Sequence, residues 1–230
     1  MKKMTKILGV GLMCGTMLLS SCGMNNTGKG ALIGGAGAGA LGAGVGALIG
    51  GGKGAGIGAA VGAAVGAGAG ALIGRKMDKQ AEELRKIENA KVEEATDANG
   101  LKAIRVTFDG GILFPTNGTT LSAAARTDLS EFALTLENNP ETNVQVFGFT
   151  DNTGSMAANQ KVSDGRADAV RTYLEKCGIA GKRITAEGRP MTDYVATNST
   201  AEGRAQNRRV EIFISANETM IRQAEAEAAK

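Results

Sequence analysis

The sequence predicts an α/β domain over residues 101–215, a βαβαββ unit whose mixed sheet is covered by two helices. A glycine-rich helical hairpin and a charged helical spacer precede it. Beyond residue 100, runs alternating at period two are interleaved with runs of helical period. Before it, the chain's 35 glycines are concentrated, with about twenty between Gly28 and Gly74. A third observation limits the chemistry. The 230 residues include no histidine and 3 cysteines, which excludes His general bases, Ser-His and Cys-His nucleophiles, His-ligated metals and an all-Cys zinc site. No cofactor, metal or catalytic residue is assigned.

Residues 1–21 open with Lys2, Lys3 and Lys6, continue through an apolar run from Ile7 to Leu19, and end in Ser20-Ser21 before Cys22. A basic start, an apolar core and small residues ahead of a cut describe a secretory signal peptide, too short to span a bilayer. Leu19-Ser20-Ser21-Cys22 resembles the lipobox of bacterial lipoproteins. That resemblance implies cleavage before Cys22 and acylation (a palmitate-type anchor) on a short lipidated N-terminus, residues 22–27. Several acyl chains anchor stably where one does not. Gly23, where Asp is absent, resembles an outer-membrane address. Cys14 leaves with the signal and Cys22 carries lipid, so Cys177 has no partner for an intrachain disulfide. The formal charge of +3 falls to zero with the signal, so bulk charge indicates no nucleic-acid partner.

Within residues 28–76, the stretches from Gly30 to Gly51 and from Gly54 to Gly74 carry no charge and are separated by Lys53. The second carries Gly54, Gly58, Gly62, Gly66, Gly70 and Gly74 at a strict period of four, and Ala-Leu-Ile-Gly recurs at 31–34, 47–50 and 71–74. Each half would be about 31 Å long as a helix, a bilayer's hydrocarbon thickness. A stripe without side chains lets two helices approach closely in lipid, whereas glycine costs about 1 kcal/mol per residue in an aqueous helix. The segment resembles the glycine zippers of outer-membrane lipoproteins and is expected to be a transmembrane hairpin turning at Gly51-Gly52-Lys53. A flexible linker is the alternative. A phosphate loop at Gly52-Lys53 fails, because Ala47 and Gly54 occupy the required Gly and Ser/Thr positions. Residues 77–100 mix both charges around Met77, Ala81, Leu84, Ile87 and Val92, read as a helical spacer that ends at the turn Asp97-Ala98-Asn99-Gly100.

In the domain, Ile104–Phe108 alternates as a strand that could resume to Phe114. Ser122 caps a helix with the stripe Ala125, Leu129, Phe132, Ala133 and Leu136. Val144–Phe149 is a strand, and Asp151–Ser155 a loop. A helix from about Ser163 is stopped by Gly178. Further strands are Ile184–Ala186 and Val210–Ile214, followed by an Ala/Glu-rich helical tail over 216–230 that packs locally or protrudes.

At 100° per residue, Arg166 falls in the apolar stripe with Ala167, Val170, Tyr173 and Leu174. A guanidinium placed there needs an anion, and Asp151, fifteen residues earlier, is the expected neighbour. Opposite charges at a pocket rim suit a ligand with both an ammonium and a carboxylate. A plain structural ion pair fits the same residues.

Gly148-Phe149-Thr150-Asp151, Asn159, Val162-Ser163, Arg166-Ala167, Asn198, Gly203-Arg204 and Asn207-Arg208-Arg209-Val210 together resemble the OmpA-like peptidoglycan-binding domain. The resemblance covers about half the chain. It implies an OmpA-like βαβαββ sandwich in which Asp151 takes the ammonium and Arg166 the carboxylate of diaminopimelate in a peptidoglycan stem peptide. Thr150 and Asn159 are implied to add hydrogen bonds from the same loop, and Arg204, Asn207 and Arg208 to border the pocket. For Arg204 and Arg208, bracing of the last strand is an equal reading, and for Arg209 the better one. Phe149 replaces the family's usual His and Val195 a frequent Pro.

These readings converge on a lipid-anchored protein of the cell outer membrane, facing the periplasm, that holds the cell wall non-covalently and is not an enzyme. Its expected partners are peptidoglycan, outer-membrane lipid and further copies of itself through the zipper. A pore or membrane-remodelling assembly of zippers is the alternative. A wall hydrolase using Asp/Glu pairs is a third.

Overall fold

The computed structural model describes residues 65–115 and 118–230. The signal peptide, Cys22, the lipidated stretch and the hairpin up to residue 64 lie outside the described residues. So does any self-association through the zipper.

The first element is helix α1, Ala67–Leu84. Its period brings Ala69, Ile73, Met77, Ala81 and Leu84 to one face, and all are almost completely buried. They belong to the core of the globular domain. The expected lipid crossing therefore does not run to Gly74, because Ala69 and Ile73 are built into the core of the globular domain. No helix among the described residues is long and apolar enough to cross a membrane. One glycine here serves a different close approach. A Cβ on Gly68 would stand 3.1 Å from the Cβ of Ala228 in the C-terminal helix, so this glycine lets the chain's own tail approach, whereas a Cβ on Gly66 or Gly74 of the period-four stripe would meet nothing within 4 Å.

The expected helical spacer holds only to Leu84. Ala90–Thr96 is a strand, β1, paired antiparallel with β2, Lys102–Asp109. Lys, Glu and Ala favour a helix, but the neighbouring strand overrides that preference. Glu93 lies opposite Arg105 in the register and accepts a hydrogen bond from its Nη2 at 2.8 Å. Lys102 is held by both Asp78 of α1 and Glu94 of β1, locking helix and strand together.

After β2, the predicted strand resumption is replaced by a single helical turn, α2 (Gly110–Leu113), capped by the Asp109 carboxylate accepting from Gly111 N. Then follow α3 (Ala123–Asn138), β3 (Thr142–Phe149), α4 (Met156–Lys176), β4 (Ile184–Arg189), α5 (Ala201–Asn207), β5 (Arg209–Ala216) and α6 (Glu218–Ala228). Ser122 caps α3 as predicted, accepting from Ala125 N. Helix α4 starts seven residues before the predicted Ser163. Its cap is Ser155, and its polar first turns carry no apolar period to reveal them. Gly178, at φ 95°, ends this helix segment in the left-handed region that glycine tolerates.

The sheet order is β1-β2-β5-β3-β4, with β3 and β4 parallel and the other pairs antiparallel. Ile104, Val106 and Phe108 of β2, Val144 and Val146 of β3 and Ile212 and Ile214 of β5 share one face with the buried stripes of the helices. The sequence predicted two helices on that face. The tail helix α6 (through Met220, Ile221 and Ala224) and α1 also contribute to the core there.

Because α1 is part of the core, Met77→Ala is expected to lower stability by about 2–5 kcal/mol. Urea unfolding of the full chain, followed by circular dichroism, measures this. An unchanged midpoint would return α1 to the status of a detached spacer.

Candidate functional site

The predicted site residues gather at one end of the sheet, where β3 and β4 finish and β5 begins. Three short segments meet there: the loop 150–155 after β3, the loop 190–200 after β4, and α5 with Arg208. A continuous hydrogen-bond web fixes them. Thr150 Oγ1 accepts from Met191 N at 3.0 Å, and Asn152 N donates to Asn198 Oδ1 at 3.4 Å. Asn159 Nδ2 donates to the carbonyls of Thr153 and Ser155, at 2.8 and 3.2 Å. Asn207 is fully buried. Its Oδ1 accepts from Val195 N and Ala196 N, while its Nδ2 donates to Ala196 O and Asn198 Oδ1. Arg204 Nη1 donates to Asn198 O at 2.8 Å. The polar groups of Thr150, Asn159, Asn207 and Arg204 thus shape the rim. Met191 and Asp193 have φ of 51° and 50°, a strained conformation that this web sustains.

Asp151 caps the end of β3 and is 6% exposed. Its Oδ1 accepts from Thr153 N at 2.8 Å, closing a local turn. Its Oδ2 accepts from Arg208 Nη1 at 2.6 Å. Sequence reasoning expected Arg166 as the neighbour, but the ion pair is made by Arg208, 57 residues away. Burial is the largest single influence on the Asp151 carboxyl and pushes it up. The Arg208 bond, the Thr153 bonds and the Arg208 charge together outweigh it and hold the group below its ordinary value.

Arg166 projects from α4 and is 3% exposed, as its place in the apolar stripe predicts. Its Nε donates to Gly118 O at 3.1 Å, and its guanidinium lies 5.2 Å from the ring centre of Phe114. Among the described residues it has no carboxylate within ion-pair distance, and its two terminal nitrogens make no hydrogen bond. Burial, then the like charge of Arg208, lowers its affinity for the proton, while Asp151 opposes this. The group remains a cation at neutral pH. A buried guanidinium whose terminal nitrogens are unpaired among the described residues, beside a second guanidinium and near a carboxylate, can accept the two oxygens of a carboxylate.

Two glycines that sequence reasoning left without a role bring Arg166 here. Gly148 and Gly188 face each other in the parallel register of β3 and β4. A Cβ on Gly148 would strike the Ser163 carbonyl, and one on Gly188 would strike Ser163 Oγ and Asp164. Helix α4 therefore rests directly on the sheet at these two positions. Phe114 and Gly118, the seat of the guanidinium, also gave no signal.

The other face of the sheet carries Phe147, Phe149 and Phe213, all buried. The Arg189 and Arg209 guanidiniums each stack 3.9 Å from a ring centre, on Phe147 and Phe149. A groove of about 410 Å³ runs over this face, past Phe149, Arg105, Val195 and Arg209. Along it Arg209 is paired with Glu211 at 2.6 Å, and Arg105 with Glu93. Arg209 also donates to Asp193 O, so it braces the loop, as read from sequence. On the opposite side of the sheet Arg166, by contrast, meets no carboxylate within ion-pair distance among the described residues.

Residues 113–208 match the family model described as the OmpA family, and residues 39–81 match that described as a glycine zipper. The chain is 37% identical over 135 residues to the Escherichia coli K12 protein named "Probable lipoprotein YiaD", covering 56% of this chain and 62% of that one. It is 40% identical over 113 residues to the peptidoglycan-binding protein ArfA of Mycobacterium tuberculosis H37Rv, covering 49% and 35% of the two chains. It thus spans less than two thirds of either relative. The solved cell wall anchor of the T6SS from Pseudomonas aeruginosa superposes with a TM-score of 0.52 at 34% identity, over 61% of this chain and 97% of that one. This chain therefore carries an OmpA-family domain behind a glycine-zipper segment.

Proposed function

We propose that this protein is a lipid-anchored tether of the bacterial envelope, joining the outer membrane to the cell wall by binding diaminopimelate in peptidoglycan stem peptides. One observation carries the reading. Arg166 is a buried cation with its fork unspent, set beside a carboxylate whose ionised form is favoured. The free end of diaminopimelate offers the complement, a carboxylate for Arg166 and an ammonium for Asp151. Thr150, Asn159, Arg204 and Asn207 act by holding the rim in shape. The names of YiaD, ArfA and the T6SS anchor support envelope placement and wall binding. Acylation at Cys22 supplies the membrane end, on the periplasmic side. Binding makes and breaks no covalent bond, so this is not an enzyme. Many copies facing a repeating polymer gain avidity even if each site is weak.

Co-sedimentation of the full chain with purified sacculi tests the proposal. The protein is expected in the pellet, with no soluble wall fragments released, and a chain left in the supernatant contradicts it. The pH profile follows from Asp151. A carboxyl with a folded-state value below its ordinary 3.8 is ionised above that range, and its ion-pair contribution is lost only as pH falls through the lowered value. Retention is expected to stay flat from neutrality to about pH 4.5. A decline centred above about pH 5 would show that another group governs binding.

A further inference from the structure

In the free protein the place of the ligand's ammonium is already filled. Arg208 Nη1 sits 2.6 Å from Asp151 Oδ2, and the other carboxylate oxygen is taken by Thr153 N. Arg208 is 41% exposed at its side chain, against 9% for Asp151, so the cation is the solvent-facing member of the pair. Its backbone is fixed, because Arg208 O accepts from Gly110 N at 2.9 Å, but among the described residues its side chain makes no other hydrogen bond or ion pair.

We propose that Arg208 is an internal counter-ion that substitutes for the ligand's ammonium at Asp151, so that binding is an exchange of cations and Arg208 sets how strongly the site demands an ammonium. This inference rests on the wall-binding reading above. An incoming ammonium must displace a short charge-assisted bond, so the gain at Asp151 is only the difference between two similar pairs. An incoming carboxylate meets no such competitor at Arg166, whose fork is open. The wild-type site therefore selects chiefly for the carboxylate and only weakly for the ammonium. Without Arg208, Asp151 is a buried carboxylate lacking its cation, and the ammonium becomes the dominant determinant.

The test compares two soluble probes on the full chain in detergent: a muramyl tripeptide ending in diaminopimelate, and the same compound ending in 2-aminopimelate, whose single amine is in the peptide bond so that the free ammonium is missing. Calorimetry gives the affinity ratio of the two. In the wild type the ratio is expected to be below about fivefold, and in Arg208→Gln at least tenfold larger than in the wild type, with tighter binding of the diaminopimelate probe. Arg208→Lys keeps a cation and is expected to stay within about threefold of the wild-type ratio. A ratio unchanged in Arg208→Gln, or equal weakening of both probes, overturns the proposal, the latter by making Arg208 a direct carboxylate contact. A Lys variant that shifts the ratio as far as Gln does also overturns it. Failure of the wall-binding reading looks different: the wild type then binds neither probe.

Discussion

Replacement of Arg166 by alanine is expected to cut retention on purified sacculi by at least about 30-fold, the lower end of the 2–5 kcal/mol that truncating a buried, hydrogen-bonded charge pair removes. Asp151→Ala is expected to have a smaller effect, within about fivefold, because Arg208 already competes with the ligand's ammonium for that carboxylate. Arg166→Met separates binding from folding. In the free protein Arg166 has no ion pair among the described residues, and burial disfavours its charge. An apolar side chain of similar length on Phe114 is therefore expected to leave the urea midpoint unchanged or raise it, while wall capture is lost. A guanidinium kept for a structural ion pair would behave in the opposite way, with Arg166→Met losing stability and keeping the wall. Both readouts come from one purified variant.

Gly148→Val is expected to remove the native fold altogether. Its first side-chain carbon would lie inside the Ser163 carbonyl, and Ala167 N closes the same space. Neither can retreat, because both belong to the backbone of α4, which is pinned to Gly188 by the Asp164 carboxylate accepting from its N–H at 3.0 Å. Overpacking of this kind costs upwards of about 3 kcal/mol when backbone must move. Loss of the cooperative urea transition is the expected readout. A folded Gly148→Val variant with intact wall binding would mean that α4 does not sit on β3 as described, and the placement of Arg166 would fall with it.

What could be read from the chain alone divides along a physical line. Elements whose own pattern closes them were legible: the Ser122 cap, the α3 stripe, the Gly178 stop, and Arg166 inside an apolar stripe. The OmpA-like resemblance and the glycine zipper were legible as motifs, and both match their family models. Features decided by a distant neighbour were not. β1 is made of helix-favouring residues and becomes a strand because β2 offers an edge and Arg105 a partner for Glu93. α1 continues the glycine period, yet it is claimed by the core through Ile73 and Met77. Asp151 stands just past the end of β3, as read from the chain, but its cation, Arg208, comes from the far end of the domain. Thr150 and Asn159 were expected to add hydrogen bonds and Asn207 to border the pocket, and their hydrogen-bond partners show that in the free chain all three hold loops.

The most direct measurement uses two walls that differ in one group. Sacculi with diaminopimelate at the third stem position are compared with sacculi carrying lysine there, which keeps the side-chain ammonium and lacks the carboxylate. The full chain is expected to co-sediment with the first and to remain in solution with the second. Equal capture by both would contradict a site built around the open fork of Arg166.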